Sequence, residues 1–201
     1  MRLPLWLKLI WTLWVMVWAP LYWKYYGAQN FLWFCDLANF FVLIGLWLES
    51  PLIFSWQATG LLVFQSLYAV DLVWALFVGS HVTGGTEYMF DMHLPLFLRF
   101  MSLFHLVTPP FLLWAIWRLG YDCRGWKYQT LTAWVVVPLC HFWRGQYDIN
   151  WARGPFGHEQ HFLPATIYLA GYLLIVPMFV YWPTHLVLKW WSGNGKRGVR
   201  F

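Results

Sequence analysis

Six long apolar runs, at roughly 3–26, 30–48, 52–79, 93–117, 129–143 and 163–190, take up most of this 201-residue chain. A helix needs about 20 such residues to cross the hydrocarbon of a bilayer. The pattern predicts an all-α fold, a polytopic helical bundle with six transmembrane helices. The fifth run is short, so its helix is expected to begin earlier or to tilt. Composition agrees, since 61% of residues are hydrophobic and 10% are charged, against about 25% charged in soluble domains. One domain over residues 1–191 and a basic tail over 192–201 follow from the length and from the Gly-rich, cationic end. The first run is too long for a signal peptide and lacks a small-residue cleavage site.

The loops orient the bundle. With both termini cytoplasmic, the inner side holds nine cations: Arg2, Lys8, Arg118, Arg124, Lys127, Lys189, Lys196, Arg197 and Arg200. The outer side holds three: Lys24, Arg144 and Arg153. Positive charge favours the inside, which predicts a multi-pass protein of the plasma membrane with both termini cytoplasmic. The same scatter of cations provides no basic stripe, so no nucleic-acid partner is expected. The three cysteines, Cys35, Cys123 and Cys140, do not pair evenly and have no zinc-site spacing.

Within the apolar runs lie groups that hydrocarbon does not tolerate alone. Asp36, Asp71, Arg99, Ser102 and His105 are the main ones. An ionisable group at that depth needs a partner or a watery cavity and marks a candidate site. At about 1.5 Å per helical residue, Cys35 and Asp36 lie about 8–9 Å from the outer surface, Arg99 about 9 Å and Asp71 about 12 Å. On the same scale Ser102 lies about 14 Å down and His105 about 18 Å. Helical spacing puts Asn39 on the face of Cys35 and Asp36, and Ser102 on the face of His105. Gln65, Tyr68 and Asp71 form a polar line on the third run. His141 closes the fifth run, and Asn150 lies in the long outer loop 144–162. Pro109-Pro110 is expected to kink the fourth helix below His105.

Two chemistries suit these residues. Cys35 with His105 makes a nucleophile and base, with Asp36 or Asp71 to orient the imidazole. Alternatively, Cys35 is a small buried apolar residue and His105 a hydrogen-bonded core histidine. Arg99 with the two aspartates makes an anion clamp for a lipid phosphate or carboxylate, or an ion network that only locks helices together. The substrate-binding set under the first reading is Arg99, Asp71, Ser102, Asn39, His141 and Asn150. No cofactor is required. The sequence His158-Glu-Gln-His161 lacks the i, i+4 histidine pair of a zinc helix. His93 and His141 are the one pair at matching depth for a haem.

The blocks Phe31-Leu-Trp-Phe-Cys35-Asp36-Leu, Leu103-Phe-His105-Leu-Val-Thr-Pro109 and Tyr147-Asp-Ile-Asn150-Trp151 occur in that order. Their order resembles a superfamily of six-helix membrane proteins. That group includes the YwaF-like integral membrane proteins, an animal transmembrane acyltransferase, and the androgen-induced and androgen-dependent lipid hydrolases. The resemblance covers about residues 30–155 and rests on order rather than a long identical string. It implies Cys35 at the nucleophile position, His105 at the base position and Asn150 in the outer block. The core carboxylates and Arg99 depart from that pattern. Thr86-Glu-Tyr-Met-Phe-Asp91 and Leu94-Pro-Leu-Phe-Leu-Arg99 are similar to a set of bacterial membrane proteins without an assigned function. The expected activity is acyl hydrolysis or transfer on a membrane lipid. The alternative is a non-enzymatic lipid or anion binder or transporter.

Overall fold

The computed structural model describes residues 3–143 and 147–195, and within those residues every regular element is helical. Helix α1 spans Leu5–Tyr26, α2 Phe34–Leu48, α3 Pro51–Val78, α4 Leu96–Met101, α5 Phe104–Leu119 and α6 Gly125–Phe142. Helix α7 covers Ala165–Val176 and α8 Trp182–Gly195, joined by a π-helical turn at Pro177–Tyr181. Four stretches are long and apolar enough to cross a membrane: α1, α3, α4 continued into α5, and α7 continued into α8. Helix α2 is apolar but has only 15 residues. The expected runs are recovered with shifted ends: the second helix starts at Phe34 and the fifth at Gly125. The expected tail over 192–201 falls partly on α8, and residues 196–201 lie outside the described residues.

Helix α1 buries one stripe. It is Lys8, Trp11, Val15, Trp18 and Tyr22, an alternation of three and four that keeps one face inward. The opposite face leaves Leu9, Leu13 and Met16 more than half exposed. Apolar exteriors of this kind continue on α3 and α8, where Phe77 and Trp190 are among the most exposed. Such a surface is costly in water and favourable in lipid, and marks a membrane protein.

Helix α3 is the central element, packed against α2, α5, α6 and α8. Its 28 residues make a rod of about 42 Å. It starts from a tight turn: Glu49 adopts a left-handed conformation, Ser50 caps the helix by accepting from the Ile53 N–H, and Pro51 takes the first position. Against it, α6 begins at Gly125, where an added Cβ would lie 2.6 Å from the Ser55 carbonyl carbon. The Asp122 N–H also donates to the Ser55 hydroxyl at 2.9 Å. Two helices meet backbone to backbone here, which only glycine permits.

The end of the bundle holding Glu49 and Gly125 has its own polar ties. Lys8, 2% exposed, pairs with Glu49 at 2.8 Å. In the sequence Lys8 reads only as a topological charge. Tyr121 hydrogen-bonds His185 Nδ1 at 2.9 Å, and burial pushes its phenol up to about 12. In the unfolded chain that phenol ionises near 10.0. A raised folded value means that its share of stability is present below pH 10 and is lost as pH rises toward 12. A melting-temperature profile over that interval is expected to fall less steeply for Tyr121→Phe than for wild type.

Candidate functional site

At the other end of the bundle three connections gather: 27–33, 79–95 and 147–164. The first two are shaped by particular side chains. Gly27 turns the chain out of α1 with a φ of 80°, and Gly84 makes a second left-handed turn with a φ of 75°. Between them in space, Asp71 reaches from the last turns of α3 into the following loop. Its carboxylate accepts from the N–H groups of Val82 at 2.7 Å, Thr83 at 2.6 Å and Thr86 at 3.0 Å. The Thr86 hydroxyl and His81 Nδ1 complete the set. Asp71 is fully buried. The structure thus assigns it to loop folding and separates it from Arg99 and His105.

The third connection is pinned in a similar way. Asp148 accepts from the Arg153 and Gly154 N–H groups at 2.9 and 3.0 Å, with Arg153 Nε 3.6 Å away. Burial pushes the Asp148 carboxyl upward, against these hydrogen bonds. Asn150, left-handed at a φ of 56°, clasps the start of α2. Its Oδ1 accepts from the Phe34 N–H at 3.0 Å, and its Nδ2 donates to the Leu32 carbonyl at 2.7 Å. That bond satisfies an N–H at a helix start that has no intrahelical partner. His141 holds the same loop through Ala152 O at 2.7 Å.

Beneath these loops lies a cavity of about 610 Å³. Of the sequence-predicted residues, Cys35, Asp36, Ser102, His105 and Asn150 line it. Asp71, Arg99, Asn39 and His141 are not on its wall. Asn39 instead ties α1 to α2, accepting from Trp11 Nε1 on its carbonyl and from Trp14 Nε1 on Oδ1, both at 3.1 Å. Arg99 donates to the Met89 carbonyl at 3.3 Å and makes no ion pair among the described residues. The expected network of Asp36, Asp71 and Arg99 is therefore not formed. Depth brought the three together on paper, but the helix faces point them apart.

His105 is the best-defined group on the wall. The helix breaks at Ser102-Leu103, between α4 and α5, and tightens to i→i+3 bonding there. The Ser102 carbonyl, which accepts from the His105 backbone N–H at 3.2 Å, also lies 2.6 Å from His105 Nδ1. A carbonyl only accepts, so Nδ1 carries the proton and Nε2 keeps its lone pair. Nε2 has no hydrogen-bond partner among the described residues. The ring is clamped between Tyr68 at 4.4 Å and Phe104 at 4.1 Å, both stacked. A backbone carbonyl, and neither Asp36 nor Asp71, orients this histidine. The break precedes Pro109-Pro110, which sit inside α5, so the helix is interrupted above His105 as well as carrying prolines below it.

Cys35 is a half-buried free thiol on the same wall. It makes no hydrogen bond with His105. Asp36 accepts from Asn30 Nδ2. Ser102 donates to the Leu98 carbonyl at 3.2 Å, which leaves its oxygen to accept from the Tyr22 hydroxyl at 2.7 Å.

Sequence reasoning missed much of the wall. Tyr22, Tyr26, Trp33 and Tyr88 contribute rings to it, and the Tyr68 and Tyr88 hydroxyls bond at 2.9 Å. Burial pushes the Tyr88 phenol well above its ordinary range. The available signal was the i, i+4 spacing of Tyr22 and Tyr26 near a helix end, which also describes an interfacial belt. His158 lines the cavity while His161 is exposed. Among the described residues no three His, Cys, Asp or Glu side chains converge as a metal site would require. Comparison with protein-family models, curated proteins and solved structures yields no match to the chain.

Proposed function

We propose that the chain is a six-span integral membrane protein with cytoplasmic termini whose cavity takes in a membrane amphiphile from the outer leaflet. The observation that carries this reading is the cavity itself. Its volume falls in the range of about 300–1,000 Å³ typical of small-molecule sites, and it has an apolar wall interrupted by a few polar groups. Leu61, Phe64 and Leu67 of α3 offer surface to a hydrocarbon chain, while Asp36, Gln65 and Ser102 offer polar anchors. Mass spectrometry of protein purified in a mild detergent tests it. One retained amphiphile per chain is expected, and Gln65→Trp, which fills the cavity from α3, is expected to abolish retention. Equal retention by wild type and Gln65→Trp contradicts the proposal.

A second reading, acyl transfer, is favoured by the unpartnered His105 Nε2 on the same wall as Cys35. The order of the Cys35, His105 and Asn150 blocks supports it. In that reaction His105 Nε2 takes the Cys35 thiol proton, and the thiolate attacks an ester carbonyl. The ester C–O bond then breaks, the alcohol leaves with the proton from His105, and a thioester remains on Cys35. Water or an acceptor alcohol releases the acyl group. Membranes exposed to an alkyne-tagged acyl lipid are expected to yield a hydroxylamine-labile adduct at Cys35 that is lost in His105→Ala. A wild-type protein without that adduct removes this reading and leaves binding intact.

A further inference from the structure

The cavity wall carries a charge pattern opposite to the one an anion clamp needs. Among the described residues it presents four carboxylates, Asp36, Glu87, Asp91 and Asp148, and no lysine or arginine. Asp148 has Arg153 nearby. Asp36 is 2% exposed and forms no ion pair among the described residues, with the neutral Asn30 amide as its donor. A carboxylate buried among apolar helices calls for a positive partner. Glu87 and Asp91 are exposed and create a negative mouth that attracts cations and repels anions.

Two further observations point to a polar ligand. Gln65 is 2% exposed and lines the cavity, yet neither its Nε2 nor its Oε1 has a hydrogen-bond partner. A buried amide left unsatisfied at both ends is costly, and a polar ligand group would satisfy it. The second is aromatic. Tyr22 and Tyr26 lie edge to face with ring centroids 5.2 Å apart, and both line the same cavity as Asp36. Tyr68, Tyr88 and Trp33 extend this ring-lined wall. Aromatic faces beside a carboxylate form the environment that holds an organic ammonium group.

We infer that the cavity selects an amphiphile with a cationic ammonium head, held by Asp36 and the tyrosine rings, with Gln65 bonding an adjacent oxygen or N–H. This rests on the binding reading above and fixes the charge class of its ligand. An anion entering the same space would meet carboxylates and the negative faces of the rings.

The test compares three probes with one tail and three heads: hexyltrimethylammonium, hexanol and hexanesulfonate. Each is titrated calorimetrically into the full chain in dodecyl maltoside, with protein-free micelles as the blank. The trimethylammonium charge does not vary with pH. The cation is expected to bind at least tenfold more tightly than the sulfonate. Asp36→Asn is expected to remove at least tenfold of the cation's affinity while leaving hexanol unchanged. Should that variant fail to fold, Glu87→Gln at the exposed mouth is expected to narrow the gap between cation and sulfonate, as raised salt is. Equal or tighter binding of the sulfonate overturns the inference and leaves the binding reading standing. No binding by any of the three overturns both. Adding phosphatidylcholine or phosphatidylglycerol to the micelles separates the sources. Competition by phosphatidylcholine alone assigns the ammonium to a lipid headgroup, and competition by neither assigns it to a soluble amphiphile.

Discussion

Replacing Asp71 with Ala is expected to unfold the loop over residues 80–86 and to lower stability by about 3–5 kcal/mol, the range for breaking a buried charged network. The carboxylate collects three backbone N–H groups, a hydroxyl and an imidazole nitrogen. Alanine leaves those donors facing one another with no acceptor, and no rearrangement of a single side chain replaces it. Asp71→Asn keeps one acceptor oxygen and is expected to lose roughly half as much. Hydrogen exchange reads this directly. The Val82, Thr83 and Thr86 amides are expected to become unprotected in Asp71→Ala while those in the middle of α1 stay protected. Unchanged protection at the three amides would remove Asp71 from its structural role.

Gly125→Val has the second largest expected effect. The added Cβ falls 2.6–2.8 Å from the Ser55 and Trp56 backbone. Backbone packed against backbone gives way only if α3 and α6 separate at this end of the bundle. Overpacking of this kind costs about 1–3 kcal/mol, and the two γ carbons of valine place the change at the upper end or above. Denaturant unfolding in detergent is expected to show a lowered midpoint, with Gly125→Ala falling between Val and wild type. Equal midpoints for all three would mean that the two helices do not meet at Gly125.

The helices were legible in the sequence because their signal is one-dimensional. An apolar run of fixed length has one solution in lipid, and Pro51 and Gly27 punctuate it. The site was legible only in part. Depth along a helix follows from residue number, and it placed Cys35, Asp36, Ser102 and His105 near one another, where the cavity is found. Rotation about the helix axis is set by packing, and it places Arg99 and Asn39 off the cavity wall. Asn39 sits on the right turn of α2 but points to the indoles of α1. Asp71 was read as a bundle charge because a sequence does not reveal that the next loop folds back over it. The group orienting His105 was beyond reach for a different reason. It is a backbone carbonyl at the helix break at Ser102-Leu103, which contains neither glycine nor proline.

The most direct test of the central claim, that an amphiphile occupies this cavity, is photo-crosslinking with a diazirine-bearing alkyl probe in membranes, mapped by peptide mass spectrometry. Crosslinks are predicted at the cavity wall, on Leu61, Phe64 and Tyr68 of α3, and are predicted to vanish there in Gln65→Trp while persisting on the lipid-facing side of α1. Crosslinks confined to exposed residues such as Leu13 and Met16, with the same pattern in wild type and Gln65→Trp, would contradict it.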